Sequence, residues 1–193
     1  TFIGGVPALC VRLSFTGELG YEIYVAPQFQ LKLFDEIQEA GKDLDVKWFG
    51  GRALMSMRLE KSWGAWTMDF RPDFTLMESG LDFFVDWDKD FIGKKAALNE
   101  KQNGITKKLS VIEIETETDV TGDEAVMHNG KCISYITSGG YAHSVEKSLA
   151  MTYLPVELIK ESAEFEVEIL GIFHKAKVVL KPLYDPSGSK MRE

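Results

Sequence analysis

Cysteine and histidine are scarce in this sequence: two Cys and three His occur among 193 residues. That scarcity excludes a disulfide-stapled scaffold. Cys10 and Cys132 both stand in apolar, strand-like stretches, where a free thiol behaves as a small buried hydrophobe. They are expected to be reduced core residues. His128, His143 and His174 lie far apart with no second ligand at short spacing, so no metal is expected. Positive charge is in deficit as well, with 22 Lys+Arg against 30 Asp+Glu and a formal net charge of -8. The acids are spread along the chain and no basic face is available, which argues against a nucleic-acid partner. No apolar run approaches the roughly 18 residues of a membrane helix, and the first residues lack a charged-then-apolar leader. There is no initiator methionine either. The chain opens at Thr1 and enters a strand almost at once, as expected of a fragment of a longer polypeptide.

What is present is an apolar content of 45%, enough for a sizeable core in one domain or two small ones. The segments 8–15 and 21–25 are rich in β-formers and are joined by Thr16-Gly17-Glu18-Leu19-Gly20. From Pro27, the residues Phe29, Leu31, Leu33, Phe34, Ile37 and Ala40 recur at helical spacing, and Gly41 marks the expected stop. A second helix is predicted from Gly51 to Lys61, followed by an aromatic loop with Trp63, Trp66 and Phe70. Phe83, Phe84 and Val85 read as another strand, and a short helix over Lys94 to Gln102 ends near Asn103-Gly104. Beyond a boundary placed at Gly104 the pattern is strand after strand: 109–114, 125–127, 132–137, 148–153, 165–170 and 175–180. Asn129-Gly130 is a type I′ hairpin signal, and Leu170-Gly171 marks another turn. The expectation is therefore an α+β region over 1–104 and a small all-β barrel or sandwich over 105–193.

Three motifs in order carry a family resemblance. The stretch Thr16-Gly17-Glu18-Leu19-Gly20-Tyr21-Glu22, the helix Gly51-Arg52-Ala53 through Arg58-Leu59-Glu60, and Phe91-Ile92-Gly93 resemble the aminomethyltransferase family, whose best-known member is the glycine cleavage T protein. Two further segments, Glu60-Lys61-Ser62-Trp63-Gly64-Ala65-Trp66 and the tail from Pro182 to Arg192, look like the dimethylglycine and sarcosine dehydrogenase branch. The resemblance implies the C-terminal part of the folate-binding fold followed by the family's β-barrel domain. It also implies tetrahydrofolate as cofactor, with capture of a methylene unit from an N-methyl amine as methylenetetrahydrofolate. Flavin would belong to a separate upstream domain. The other partner implied is the missing N-terminal half of the same protein, which would hold the catalytic aspartate, so this fragment alone is expected to be catalytically silent. The location implied is the bacterial cytoplasm or, in a eukaryote, the mitochondrial matrix.

By the same resemblance Glu22, together with Ile23 and Tyr24 on its strand, would bind the pterin, and Arg52 would lie near the folate. A carboxylate suits the first role because it accepts two parallel hydrogen bonds from an amino group and a ring N–H. A guanidinium offers a planar fork of donors for the second. Phe15 and Phe83 stand where dehydrogenase relatives commonly carry tyrosine, which keeps a ring for stacking and removes one hydrogen bond. Read by alternation alone, Glu22 is a solvated strand residue and Arg52 a surface ion-pair partner. Arg58 and Glu60 read as structural charges near a helix end. Asp69 and Asp73 match no catalytic motif and read as solvated loop acids. Ser138-Gly139-Gly140-Tyr141 reads as architecture, and the Trp63/Trp66 pair as packing or pocket lining. The alternatives to the dehydrogenase-like reading are a stand-alone glycine cleavage T protein, served by a lipoyl carrier, and a non-catalytic folate-binding regulatory module.

Overall fold

A computed structural model describes residues 1–192. Two compact units emerge: one formed by Thr1–Met55 with the tail from Ser187, the other by Ser56–Pro186.

The first unit holds two short antiparallel ribbons and a helix. Strands β1 (Phe2–Ile3) and β2 (Val6–Pro7) pair across a two-residue turn in which Gly4 and Gly5 both have positive φ, the geometry of a type I′ hairpin. Strands β3 (Leu9–Val11) and β4 (Glu22–Tyr24) pair so that Val11 faces Glu22 and Leu9 faces Tyr24. The long strand expected over 8–15 is cut short at Val11. Residues from Ser14 onward instead form a loop in which Ser14 Oγ accepts from the Gly17 N–H (3.0 Å), a local alternative to ladder pairing. At Gly20 a side chain would meet the Leu13 carbonyl oxygen at 2.9 Å, so the loop closes only with glycine there.

Helix α1 spans Gln30–Gly41 after a 3-10 turn over Pro27–Phe29. Of its apolar residues only Leu33 is buried. Leu31 and Phe34 are exposed, and the Phe34 ring stacks on Trp48 at 5.0 Å. The α-helix stops at Gly41 as expected, but not through a left-handed glycine. Its backbone is helical, the chain continues as a 3-10 turn over Lys42–Leu44, and the left-handed residue is Asp45. Gly41 is required for a different reason: a Cβ there would lie 2.6 Å from a methyl carbon of Val46.

Helix α2 (Gly51–Glu60) is the element in which the division between the units falls. Its first half is accessible, whereas Ser56, Arg58, Leu59 and Glu60 are buried. The strand expected over Phe83–Val85 is instead a single 3-10 turn, Asp82–Phe84, with both phenylalanine rings largely exposed. Three apolar residues without alternation do not distinguish a strand from a turn. Helix α3 (Lys94–Asn103) follows and ends at Gly104, whose N–H reaches back to the Glu100 carbonyl.

From Lys107 the second unit is a closed six-stranded antiparallel barrel. Its strands are β5 (Lys107–Ile114), β6 (Ala125–His128), β7 (Lys131–Ala142), β8 (Lys147–Pro155), β9 (Glu164–Ile169) and β10 (Ile172–Val179), in the spatial order β10-β5-β8-β7-β6-β9. This is the small barrel expected from the strand spacing. Closure leaves no unpaired edge. Strand β9 shows the simplest period, with Glu164, Glu166 and Glu168 outside and Phe165, Val167 and Ile169 inside. Strand β8 is buried on both faces. Ala150 and Leu154 fill the barrel with Ile112, Ile136 and Val126, while Leu149 and Met151 pack outward against Leu59 of α2. Asn129 and Gly130 both take positive φ, as the hairpin signal required, and so do Leu170 and Gly171. Neither cysteine is in a core: Cys10 lies on β3, all three residues of which are exposed, and Cys132 lies at the exposed start of β7.

Candidate functional site

Within the first unit, strand β4 sets the geometry of the residues singled out for ligand binding. Glu22 and Tyr24 are two apart and so project on one face, and the Tyr24 hydroxyl donates to Glu22 Oε2. That hydrogen bond, followed by the Glu22 charge, raises the Tyr24 phenol above its ordinary value. Glu22 is half-buried, Tyr24 exposed, and Ile23 half-buried on the opposite face. Among the described residues Glu22 Oε1 accepts no hydrogen bond. A carboxylate has about four lone-pair positions, so both oxygens retain capacity for donors from a ligand. Phe15 is half-buried in the loop before β4. Arg52 is exposed on the second residue of α2 and engages in an interaction of its own. Phe83 is exposed in its 3-10 turn in the second unit. The structure thus joins Glu22 to Tyr24 directly.

The densest polar cluster lies in the second unit, at Asp69. This acid is fully buried, which corrects its expected place in a solvated loop. Its Oδ2 accepts from Arg58 Nη1 (2.9 Å) and from the Ala65 N–H (2.7 Å). Its Oδ1 accepts from the Ser138 hydroxyl (2.8 Å) and from the Thr137 hydroxyl. Thr137 and Ser138 are consecutive residues of one strand and would ordinarily point to opposite faces. A register shift between Ile136 and Ser138 turns both toward the same carboxylate. Asp73, in contrast, is exposed as expected.

Arg58 is equally inaccessible. Beyond Asp69, its guanidinium reaches the Trp63 carbonyl (3.0 Å), the Ser138 hydroxyl (2.7 Å) and the Met151 sulfur (3.1 Å), while its Nε has no partner among the described residues. Burial lowers the Arg58 pKa, and the charge and hydrogen bond of Asp69 act in the opposite direction. The same helix turn is fixed at two further points. Ser56 donates to the Tyr141 carbonyl (2.6 Å), and Glu60 Oε1 accepts the Ser144 N–H (2.7 Å). Arg58 and Glu60 are therefore internal anchors and not solvated charges. Next to them, Lys61 donates to the Asp185 carbonyl (2.6 Å) and carboxylate (3.2 Å), both side chains nearly inaccessible. Only spacing on α2 hinted at this cluster, since no local pattern marks a buried Asp69.

The aromatic pair divides. Trp63 is half-buried beside Lys61, whereas Trp66 is 76% exposed and fills no core. Ser138-Gly139-Gly140-Tyr141 is architecture in a more specific sense than a bend. Gly139 lets β7 pass Val120, whose Cγ1 would sit 2.6 Å from a side chain there.

Two cavities stand apart from these clusters. One of about 340 Å³ lies against the barrel among Glu113, Glu115, Glu164, Glu166, Lys175 and Lys177, and one of about 510 Å³ among Leu76, Phe84, Phe91, Ile92 and Ala97. No group of three or more His, Cys, Asp or Glu side chains among the described residues is arranged to hold a metal ion. No helix of the described residues is long and apolar enough to cross a membrane.

Comparison with known proteins covers most of the chain. Residues 1–89 match the model of the GCVT N-terminal domain, and residues 107–185 match that of the glycine cleavage T-protein C-terminal barrel domain. Human mitochondrial dimethylglycine dehydrogenase is 35% identical over 99% of this chain and 23% of its own length. An aminomethyltransferase of Synechocystis is 34% identical over 92% of this chain and 47% of its own. Mouse mitochondrial sarcosine dehydrogenase is 29% identical over 94% of this chain and 21% of its own. Among solved structures, the glycine cleavage system aminomethyltransferase T of Bartonella henselae superposes with a TM-score of 0.83 at 28% identity, covering 92% of this chain and 50% of that one. The chain thus spans about half the length of the aminomethyltransferases it matches and under a quarter of the dehydrogenases.

Proposed function

Because this chain belongs to the aminomethyltransferase family of the glycine cleavage T-protein, we propose that it is part of a tetrahydrofolate-dependent one-carbon transfer enzyme. Dimethylglycine and sarcosine dehydrogenases are among its relatives, which favours an N-methyl amine as the source of the carbon unit. The folate supplies a nucleophilic ring nitrogen that takes up that unit. This chain's residues supply orientation and exclusion of water, which together convert an encounter into a positioned reaction.

The observation that carries the reading is Glu22. Its half-buried carboxylate, steadied through Oε2 by Tyr24 and open at Oε1, fits a ligand edge bearing an amino group beside a ring N–H. Arg52 would bind a carboxylate or carbonyl of the same ligand, and the ring of Phe15 would offer a stacking face without a hydroxyl. Ile23 would add an apolar contact from β4. The catalytic aspartate would come from a preceding part of the polypeptide. The accessible apolar surface of the first unit, including Leu9, Leu31 and Trp48, supports a partner segment there. In this reading the family modules divide near Gly104, with the folate-binding portion over 1–104 and the barrel over 105–193. Flavin, if the protein is of the dehydrogenase type, would occupy another domain. The matrix location follows for a eukaryotic source, since the dehydrogenase relatives are mitochondrial.

The test is tetrahydrofolate binding by the full-length protein, wild type against Glu22→Ala. A charge-assisted hydrogen bond contributes about 1.5–3 kcal/mol, so affinity should fall about tenfold to a hundredfold. Equal affinities would overturn the reading. Amine turnover then separates an enzyme from a regulator that binds folate without reacting. A stand-alone T protein is the alternative favoured by the superposition on aminomethyltransferase T, and transfer from a lipoyl-bound aminomethyl group would identify it.

A further inference from the structure

We propose that Tyr24 is a positioning residue that acts on the ligand through Glu22: its hydroxyl, committed to Glu22 Oε2, fixes the carboxylate on one face of β4 and leaves Oε1 for the ligand. The inference rests on the folate reading, which gives Glu22 its ligand role. It departs from the expectation that Tyr24 itself binds the pterin.

The geometry is contained in one ribbon of the first unit. Glu22 and Tyr24 are the first and last residues of the three-residue β4, so alternation puts both side chains on one face. A phenol carries a single proton, and here that proton is donated to Glu22 Oε2. Tyr24 therefore has no donor left to offer a ligand. Across the ladder, Val11 faces Glu22 and Leu9 faces Tyr24. Both are apolar, so β3 presents no side-chain donor to compete for the carboxylate and no charge to draw it aside. Among the described residues, Glu22 is the one charged group that shifts the Tyr24 phenol, and its hydrogen bond acts more strongly than its charge.

A glutamate in this setting needs such a partner. Its side chain is flexible, and a ligand that must immobilise it binds more weakly for doing so, whereas a tyrosine ring is rigid and loses little freedom when it is tied. With Oε2 held in advance, the carboxylate meets the ligand already oriented. A role in packing has a weaker claim, because Tyr24 is 54% exposed and fills no core.

A double-mutant cycle on the full-length protein tests this. Tetrahydrofolate affinity is measured for Tyr24→Phe, Glu22→Ala and the pair. Tyr24→Phe keeps the ring and its preference for a strand and removes only the hydroxyl, so the β3–β4 ribbon is retained. With Glu22 present it should weaken binding about threefold to tenfold, the cost of ordering one free side chain. In the Glu22→Ala background it should change affinity less than about twofold, because the group it positions is gone. A pH profile adds a second reading. Wild-type affinity should fall by at least the same factor as pH rises through the raised Tyr24 titration, while Tyr24→Phe should show only the ligand's own alkaline titration. A Tyr24→Phe loss that persists without Glu22 would make Tyr24 a direct contact, and a variant matching wild type in affinity and profile would make its hydroxyl irrelevant. Either result overturns the positioning role. A wild-type protein that binds no tetrahydrofolate, or a Glu22→Ala change without effect, would instead overturn the folate reading and this inference with it.

Discussion

Arg58 Nη1 lies 2.9 Å from Asp69 Oδ2, and neither side chain has any accessible surface. Eleven residues separate the two in sequence, and the carboxylate is completed by hydroxyls from a strand 68 and 69 residues further on. The cost of desolvating such a pair is offset only where nearly every lone pair and proton is engaged. Asp69 meets that condition with four donors. Arg58 meets it at both Nη atoms, and its Nε has no partner among the described residues.

Removing one partner should therefore be expensive. Asp69→Ala leaves a buried guanidinium without its counter-charge and is expected to lower stability by about 3–5 kcal/mol. Asp73→Ala, at an exposed position of the same loop, is expected to stay within about 0.5 kcal/mol of wild type. Denaturant unfolding of the two variants checks the contrast, and similar midpoints would count against the buried network.

The adjacent glycines of β7 should behave differently. A Cβ at Gly139 would meet Val120 Cγ1 at 2.6 Å and the Val120 carbonyl oxygen at 3.1 Å, so Gly139→Ala is expected to cost about 1–3 kcal/mol. At Gly140 the nearest atom is Leu59 Cδ1 at an ordinary 3.6 Å, and Gly140→Ala should be close to neutral. Thermal unfolding of both variants reads the difference.

Leu170 holds a left-handed backbone, φ 51, at the tip of the β9–β10 hairpin while its side chain is 90% exposed. A γ-branched residue gains nothing there and carries the strain of that region, of order 1 kcal/mol. Leu170→Asn is expected to stabilise the protein by about 0.5–1 kcal/mol. An unchanged or lower unfolding midpoint would refute it.

Tyr24 titrates above an ordinary phenol because Glu22 accepts its proton-bearing hydroxyl and repels the phenolate. With its folded pKa raised, the hydroxyl contributes its stabilising bond fully below the unfolded value and loses it as pH rises through the folded one. Glu22→Gln should therefore move the Tyr24 absorbance titration to lower pH. A curve unmoved by that substitution would show that the two side chains do not interact in solution.

Much of the barrel was legible before any coordinates. Alternation at β9 and the Asn129-Gly130 turn are local signals, each contained in a few neighbouring residues. The helices were legible for the same reason, to within a few residues at their ends. Phe83–Val85 failed because three apolar residues carry no period, while Gly41 ends α1 as expected and the close approach of Val46 that also requires a glycine there was not legible. Cys10 and Cys132 failed because membership of a strand is a local property, whereas whether anything covers it is not: all of β3 and the start of β7 are exposed.

The proposed ligand roles of Glu22, Tyr24 and Arg52 come from the motifs around them. The structure added the bond between Glu22 and Tyr24, which a spacing of two permits without requiring. Of the Asp69 cluster, only the spacing on α2 gave a hint. Its members come from the end of α2, the loop after it and the shifted register of β7, and none of those segments signals the others.

Determined by the chain itself were the strand and helix periods, the hairpin turns and the family motifs, since all of these are written within one turn or one hairpin of sequence. Left to the tertiary structure were the burial of Arg58 and Asp69, the exposure of both cysteines and the face on which Thr137 lies. Burial and register are set by which distant segments close over a residue, and that depends on the packing of the whole unit rather than on any residue's neighbours in the chain.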